Sequence, residues 1–375
     1  MPLGEQTAMP IRTAYSTKPL PDAVSDLSLA LGARPARVVL FFASAKYDPG
    51  ALSREMQSAF PDACVAGCST AGEIAQGKML NASVSAMALD GETVEDAAAV
   101  VVENLGGEID VPGALHELEN RLGVPAAGWD IEKYVGLVLI DGLSGAEERL
   151  MEMLGDSTDV FFVGGSAGDD LKFQRTHVCA GGKAYSGCAV LVLLRLRRGF
   201  AIVKTQSFRR LGKFLTATAV DERRRTVLEF DNKPALVAYA DALGVAPAEA
   251  AAHFFRHPLG LMVDGEPFVR SPQKAEGASI GFYCRIREGT ELELLQAADI
   301  VGDTRRAVEA QKEALGEVAG LIDFQCILRT IQLHEENRCE QYGAIFDGIP
   351  NVGFSTYGEA YLGDVNQTST MLLFR

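Results

Sequence analysis

One short phrase is written three times along this chain: Gly67-Cys68-Ser69-Thr70-Ala71-Gly72-Glu73, Gly164-Gly165-Ser166-Ala167-Gly168-Asp169 and Gly353-Phe354-Ser355-Thr356-Tyr357-Gly358-Glu359. Each copy follows a short apolar run and closes on a glycine and a carboxylate. A constant offset of 97 residues lays the surroundings of the first copy on those of the second, from Val38 onto Val135 to Ser69 onto Ser166. Repetition of this kind means pseudo-symmetric units that share a core. A glycine-rich turn at a strand end also gathers backbone N–H groups, a hydroxyl and an acid at one point. Three such turns point to a composite binding surface rather than to a single catalytic residue.

The repeated unit reads as strand, helix, strand, glycine turn, strand. In the first copy, residues 38–42 are an apolar strand. Asp48 and Pro49 supply a helix N-cap and a first-turn proline, and Leu52, Met56, Ala59 and Phe60 follow at helical spacing. Residues 63–66 form a second strand and 83–89 a third. In the second copy the strands are 135–141, 160–163 and 188–194, with a helix capped at Ser144 that carries Leu150, Met153 and Leu154. The third copy is more diverged, with a strand at 324–328, a helix at 329–346 and a closing strand at 368–374. This alternation makes the chain α/β.

A different segment separates the second and third copies. It reads as strands over 200–216, 226–230, 260–262, 268–269, 279–285 and 291–296, with helices at 234–243, 247–255 and 303–318. The expected organisation is an extension at 1–36, an N-terminal domain of two repeats at 37–229, and an α+β C-terminal domain at 230–375 that holds the third repeat. The boundary falls near Phe230-Asp231.

A formal net charge of −15 argues against nucleic acid or an anionic membrane as the main partner, because both reward a basic surface. Arg195, Arg197, Arg198, Arg209, Arg210 and Arg223 to Arg225 cluster locally and read as solvated strands and a turn. The polar, proline-containing segment 1–21 has no apolar core, and no stretch reaches the ~20 apolar residues that span a bilayer. Seven cysteines without CxxC spacing fit reduced thiols better than a disulfide framework or a zinc site. The expected location is cytoplasmic.

Gly164 to Gly168 has the GxSxG form of a nucleophile elbow. Asp169-Asp170 follows, however, where an elbow needs a helix, and the sister copies lack the pattern. A serine hydrolase centred on Ser166 is therefore the weakest reading, and the chain is expected to be no enzyme. Cys64 and Cys68 straddle a strand and a turn and read as buried thiols. His253 and His257 have the spacing of a helical zinc pair, but Pro258 ends that helix and no acid lies between them. His334 sits beside an apolar stripe and reads as a core histidine. The sharper alternative is an axial haem ligand, which needs an imidazole in an apolar cavity. Within the closing segment, Glu359 has the chemistry to hold an ammonium group, while Asn366 and Thr368 either meet a ligand or order the neighbouring backbone.

These same segments carry a family likeness. The first turn, the stretch Val163 to Asp170, Phe354 to Glu359 and Val365-Asn366-Gln367-Thr368 together resemble the FIST family (F-box and intracellular signal transduction). The resemblance runs from about Arg37 to Leu372, with Asn232 to Tyr239 similar to the start of its C-terminal domain. It implies a sensory protein for a small ligand such as an amino acid, acting through a separate partner such as a histidine kinase. A stand-alone bacterial subgroup binds haem and senses nitric oxide, and Phe354 to Glu359 with Val365 to Thr368 looks most like it. No histidine here falls in a matching motif, so His334 is the metal ligand only if haem binds. The ligand-binding residues expected on this reading are Ser69, Thr70, Gly72, Glu73, Gly164, Gly165, Ser166, Gly168, Asp169, Asp170, Ser355, Tyr357, Gly358, Glu359, Asn366 and Thr368.

Overall fold

Each apolar run ahead of a glycine turn is a strand paired in parallel with the strand before it, and three such pairs organise the chain. The structure is a computed structural model that describes residues 9–263, 265–361 and 363–375. The first repeat is β1 (Ile11–Ser16), α1 (Asp22–Leu31), β2 (Ala36–Ser44), α2 (Pro49–Ala59), β3 (Cys64–Thr70), β4 (Glu73–Ala75), β5 (Lys78–Leu80) and β6 (Val84–Asp90). The second is β7 (Val94–Val102), α3 (Val111–Leu122), β8 (Tyr134–Ile140), α4 (Glu147–Ser157), β9 (Phe162–Ser166), β10 (Val178–Ala180), β11 (Lys183–Tyr185) and β12 (Ala189–Leu196). The third opens with β13 (Phe200–Gln206) and then accepts an insertion. It comprises β14 (Phe208–Asp221), β15 (Thr226–Phe230), β16 (Lys233–Pro234), α5 (Ala235–Leu243), β17 (Leu259–Val263), β18 (Glu266–Arg270), β19 (Pro272–Glu276), β20 (Ser279–Phe282) and β21 (Glu291–Ala297). The repeat resumes with α6 (Ile300–Leu315), β22 (Gly320–Cys326), α7 (Ile327–Glu335), α8 (Cys339–Gly343), β23 (Asn351–Thr356), β24 (Glu359–Tyr361), β25 (Gly363–Val365) and β26 (Thr368–Phe374).

Two compact units result. The first holds residues 1–205, 304–364 and 369–375, and the second holds 206–303 with 365–368. The first unit contains three six-stranded sheets, ordered β1-β6-β2-β3-β10-β11, β7-β12-β8-β9-β24-β25 and β13-β26-β22-β23-β4-β5. In every sheet the last two strands come from another repeat. The hairpin after the first turn completes the third sheet, that after the second turn completes the first, and that after the third turn completes the second. The exchange is cyclic, so no repeat closes its own sheet.

The inner faces of the three sheets share one core. Phe42, Phe324 and Phe354 meet there, with ring centroids 4.7 to 6.5 Å apart. The outer face of the first sheet packs Val39, Phe41 and Ala43 under α1 and α2, and that of the second packs Val138 and Ile140 under α3 and α4. The N-cap expected at Asp48 is present, with its carboxylate accepting from Ala51 N at 2.6 Å. Ser144 does not cap α4. That helix begins after Ala146 without a side-chain cap, and Ser144 donates to Asp141 O instead.

The second unit has an eight-stranded sheet and its own core around Phe230, Tyr239, Phe254 and Phe282. Of the expected extension 1–36, residues 1–8 lie outside the described residues, and the rest supplies β1 to the first sheet and α1 against its outer face. The expected boundary at 230–231 falls between β15 and its hairpin partner β16. In the third repeat the strand starts earlier than 324 and stops at Cys326, which begins α7. The helix expected over 329–346 is broken into α7, α8 and a short 3-10 turn at Ala344–Phe346.

Candidate functional site

The three glycine phrases meet at the carboxyl ends of the three parallel strand pairs. Open α/β sheets place ligand sites at such ends. Three equivalent backbone hydrogen bonds close a ring: Ala71 N donates to Ser355 O at 3.2 Å, Gly168 N to Ser69 O at 3.0 Å, and Tyr357 N to Ser166 O at 3.2 Å. Ser355 N donates to Gly72 O and Ser166 N to Gly358 O, both at 2.8 Å. The amides that looked bare in the sequence are thus consumed by one another.

The first glycine of each phrase serves close approach. A Cβ on Gly67, Gly164 or Gly353 would stand 2.2, 1.8 or 2.0 Å from the carbonyl oxygen of Phe41, Val138 or Asp323 on the adjacent parallel strand. Gly72 has a different reason, a φ of +126°.

The turn carboxylates are buried acceptors. Glu73 is 1% exposed and receives Thr70 Oγ1 at 2.5 Å, Ser83 N at 3.0 Å and Ser83 Oγ at 2.5 Å. Burial nevertheless pushes its carboxyl up to about 7, against the pull of those donors. Glu359, 2% exposed, receives Thr356 Oγ1 at 3.1 Å in the same Thr-x-x-Glu arrangement.

The second turn departs from this pattern. Glu73 lies opposite Phe354 and Glu359 opposite Gly165, while the residue opposite Cys68 in the equivalent place is Val178. Asp169 and Asp170, which the phrase aligns with the two glutamates, belong to an extra loop, 169–177. Asp169 accepts from Phe173 N, Gln174 N and Arg175 N at 2.6 to 2.9 Å and from Tyr357 Oη at 2.5 Å. Burial works against these donors, but the hydrogen bonds win and hold its pKa low. Ser44 Oγ donates to Asp170 at 2.9 Å, and Thr176 and Gly187 N both donate to Asp141, which anchors the far end of the loop.

Within this loop Asp170, Leu171 and Phe173 all have left-handed backbones, with φ of 54°, 62° and 52°. Non-glycine residues there carry strain, which concentrates at functional segments. Phe173, 55% exposed, stacks on Tyr357 at 4.7 Å, and Leu171 is also exposed. Composition gave no signal for this loop, because its first residues imitate the shared phrase.

The structure therefore brings together Ser69, Thr70, Gly72, Glu73, Gly164, Gly165, Ser166, Gly168, Asp169, Asp170, Ser355, Tyr357, Gly358 and Glu359. All are buried except Asp170 and Tyr357, which are half-buried. Asn366 and Thr368 group with the second unit. Ser166 is fully buried, donates to Glu147 at 3.1 Å and is followed by the loop rather than a helix, so the geometry of a nucleophile elbow is missing. His334 is exposed near the end of α7, and the apolar cavity required of a haem ligand does not surround it. The residues present there do not fit that group. Cys68 is a buried thiol and Cys64 a half-buried one, whose pKa desolvation raises to about 12, and no group of three or more metal-ligating side chains occurs among the described residues.

Residues 37–233 match the FIST N domain and residues 235–361 the FIST C domain. The chain belongs to the FIST family. FIST domains mark a sensory protein of signal transduction. The chain is also 23% identical over 198 residues to an uncharacterized protein of Methanocaldococcus jannaschii, a match covering 49% of this chain and 38% of that protein. No single helix of this FIST protein, among the described residues, is long and apolar enough to cross a membrane.

Proposed function

We propose that this FIST protein binds a small ligand at the carboxyl end of its three-repeat unit. It passes its state to a separate cytoplasmic signalling protein such as a histidine kinase and has no catalytic activity of its own. The observation that carries the reading is the ring of turns with its one strained departure. The cyclic exchange of hairpins makes each turn the hinge between two sheets, so a displacement at one turn is felt in its neighbours. The loop 169–177 stores left-handed strain beside that ring and is tied to the third turn by the Asp169–Tyr357 bond. A rigid frame beside one strained segment gives ligand binding a place at which to shift a conformational population.

The test is a thermal-shift screen of the full chain against free amino acids and related small molecules. It is followed by addition of the stabilising compound to the chain mixed with the histidine kinase encoded nearest to it. The expected result is a saturable rise in Tm for one chemical class and a ligand-dependent change in kinase autophosphorylation. The double variant D169N/E359Q is expected to lose the rise. Stabilisation unchanged in that variant would remove the turns from the site, and a kinase indifferent to the liganded chain would remove the signalling role.

A further inference from the structure

The repeats control one another, and the third breaks their rule on its outer face. Phe41 and Ala43 in the first sheet, and Val138 and Ile140 in the second, are buried apolar contacts beneath the helices. The positions in the same register of the third sheet, facing Gly353 and Ser355 on the parallel strand, are Asp323 and Gln325. The helix above them adds Arg329. All three are buried, with exposures of 0%, 0% and 2%. Two sister sheets show that apolar side chains satisfy this fold. A buried polar layer costs desolvation that the fold itself does not demand.

Most of that layer is internally satisfied. Asp323 accepts from Tyr342 Oη at 2.8 Å and Ser369 Oγ at 2.6 Å. Arg329 donates from Nε to Gln325 Oε1 at 3.1 Å and from Nη2 to Thr304 at 2.9 Å and Thr205 at 3.4 Å. Every hydrogen-bond partner of the guanidinium is neutral and it makes no ion pair among the described residues; it favours the Asp323 carboxylate only through space. Among the described residues, two groups of this layer have no hydrogen-bond partner: Arg329 Nη1 and Gln325 Nε2. The Gln325 amide is oriented by the arginine, since Nε–H only donates and must meet the oxygen. Both leftover groups are therefore donors. Arg329 also stands in the first turn of α7, where the helix dipole disfavours a cation and favours an anion.

We propose that Arg329 and Gln325 form the recognition site for a small carboxylate. The ligand's carboxylate supplies the directly bonded counter-charge that Asp323 does not give the guanidinium, and accepts from the Gln325 amide. Its single charge matches one cation, and its two oxygens match two unpaired donors. The site adjoins the turn ring, because Thr330, the next residue on α7, shares a 2.8 Å hydrogen bond with Ser355 of the third turn. This deepens the sensory reading above and rests on it, by naming the class of ligand.

The experiment follows the Tm of the full chain in sodium acetate against sodium chloride at matched ionic strength. Acetate is expected to raise Tm saturably by roughly 2–4 °C beyond chloride. Arg329→Met removes the rise. Gln325→Glu places a carboxylate against the guanidinium from within, so it raises the ligand-free Tm and also abolishes the acetate response. This second variant decides the matter if the first does not fold. An acetate effect no larger than chloride's, or one that persists in Gln325→Glu, overturns the site. A wild-type chain that ignores acetate yet responds to a neutral or cationic compound loses this site and keeps the sensory reading. A chain that responds to acetate through Arg329 while leaving the kinase unchanged keeps the site and loses that reading.

Discussion

The first and third glycine turns differ from the second in more than one residue. Thr70, Glu73 and Ser83 form a buried hydrogen-bonded set. Their counterparts in the second repeat are Ala167, Val178 and Cys188, all buried and apolar. The three positions change together, which marks them as one structural device with two solutions. Either a carboxylate is buried with its own donors, or the place is apolar and needs none. The freed constraint coincides with the extra loop 169–177, whose own acid, Asp169, ties the loop to Tyr357. Common to all three turns is the close-packed glycine, so it holds the fold, and the variable residues are where the repeats specialise.

That division is broken most severely at the shared glycines. Gly67→Ala, Gly164→Ala and Gly353→Ala should each destabilise by about 3 kcal/mol or more, because the new methyl meets backbone rather than a movable side chain. Gly358→Ala is the control. Its Cβ would meet only Ser166 Oγ at 3.7 Å, and His177 already occupies the matching place in the second repeat. The loss there should stay below ~1 kcal/mol. Urea denaturation of the four variants makes the comparison, and equal losses at Gly358 and Gly164 would refute the close-approach account.

The same glycines explain what the sequence made legible. An offset held from Val38 to Ser69 locates two repeats, because strand pairing requires glycine at the same register in both. The opening strand of the third pair reads as starting at 324 rather than at Gly320, since Asp323 and Gln325 interrupt the apolar run that signals a buried strand. The hairpin exchange was not legible. Short strands such as β4, β10 and β24 carry no record of which sheet they join, and pairing at such distance is decided by the whole core. Asp169-Asp170 align with the glutamates for a related reason, as the phrase continues unbroken into an inserted loop and the structural counterpart of Glu73 lies beyond it at Val178. At the site, composition suggested donors on the turns, whereas the unpaired donors lie one layer away on Gln325 and Arg329.

A smaller but more diagnostic effect comes from titrating the buried acid. Glu73 has a folded pKa of about 7, above the ordinary carboxyl value near 4.3. A raised folded pKa means that the folded state binds the proton more tightly. Stability from this group is then fully present below about pH 4.3 and is lost as pH rises through 7. The full swing is about 4 kcal/mol. Glu73→Gln keeps the shape and removes the charge, so its stability relative to wild type should improve by about that amount between pH 4 and 8. Denaturant midpoints of both proteins at the two ends of the range measure it. Parallel pH profiles would show that Glu73 stays ionised and that its three donors outweigh its burial.

Tyr357→Phe tests the specialised turn alone. It deletes the hydroxyl that donates to Asp169 Oδ1 at 2.5 Å and accepts from Asp169 N at 3.2 Å, yet keeps the ring stacked on Phe173. The expected cost is about 1–2 kcal/mol, as for a hydrogen bond to a charged group. Because Asp169 also organises the amides of Phe173, Gln174 and Arg175, hydrogen exchange at those three should speed up while the amides of Ala71 and Ser355 in the turn ring keep their protection. That split would show the loop opening on its own against a fixed ring, as a responsive element must. Uniform acceleration across ring and loop would make the loop an inseparable part of the frame and remove the strained segment as the moving part.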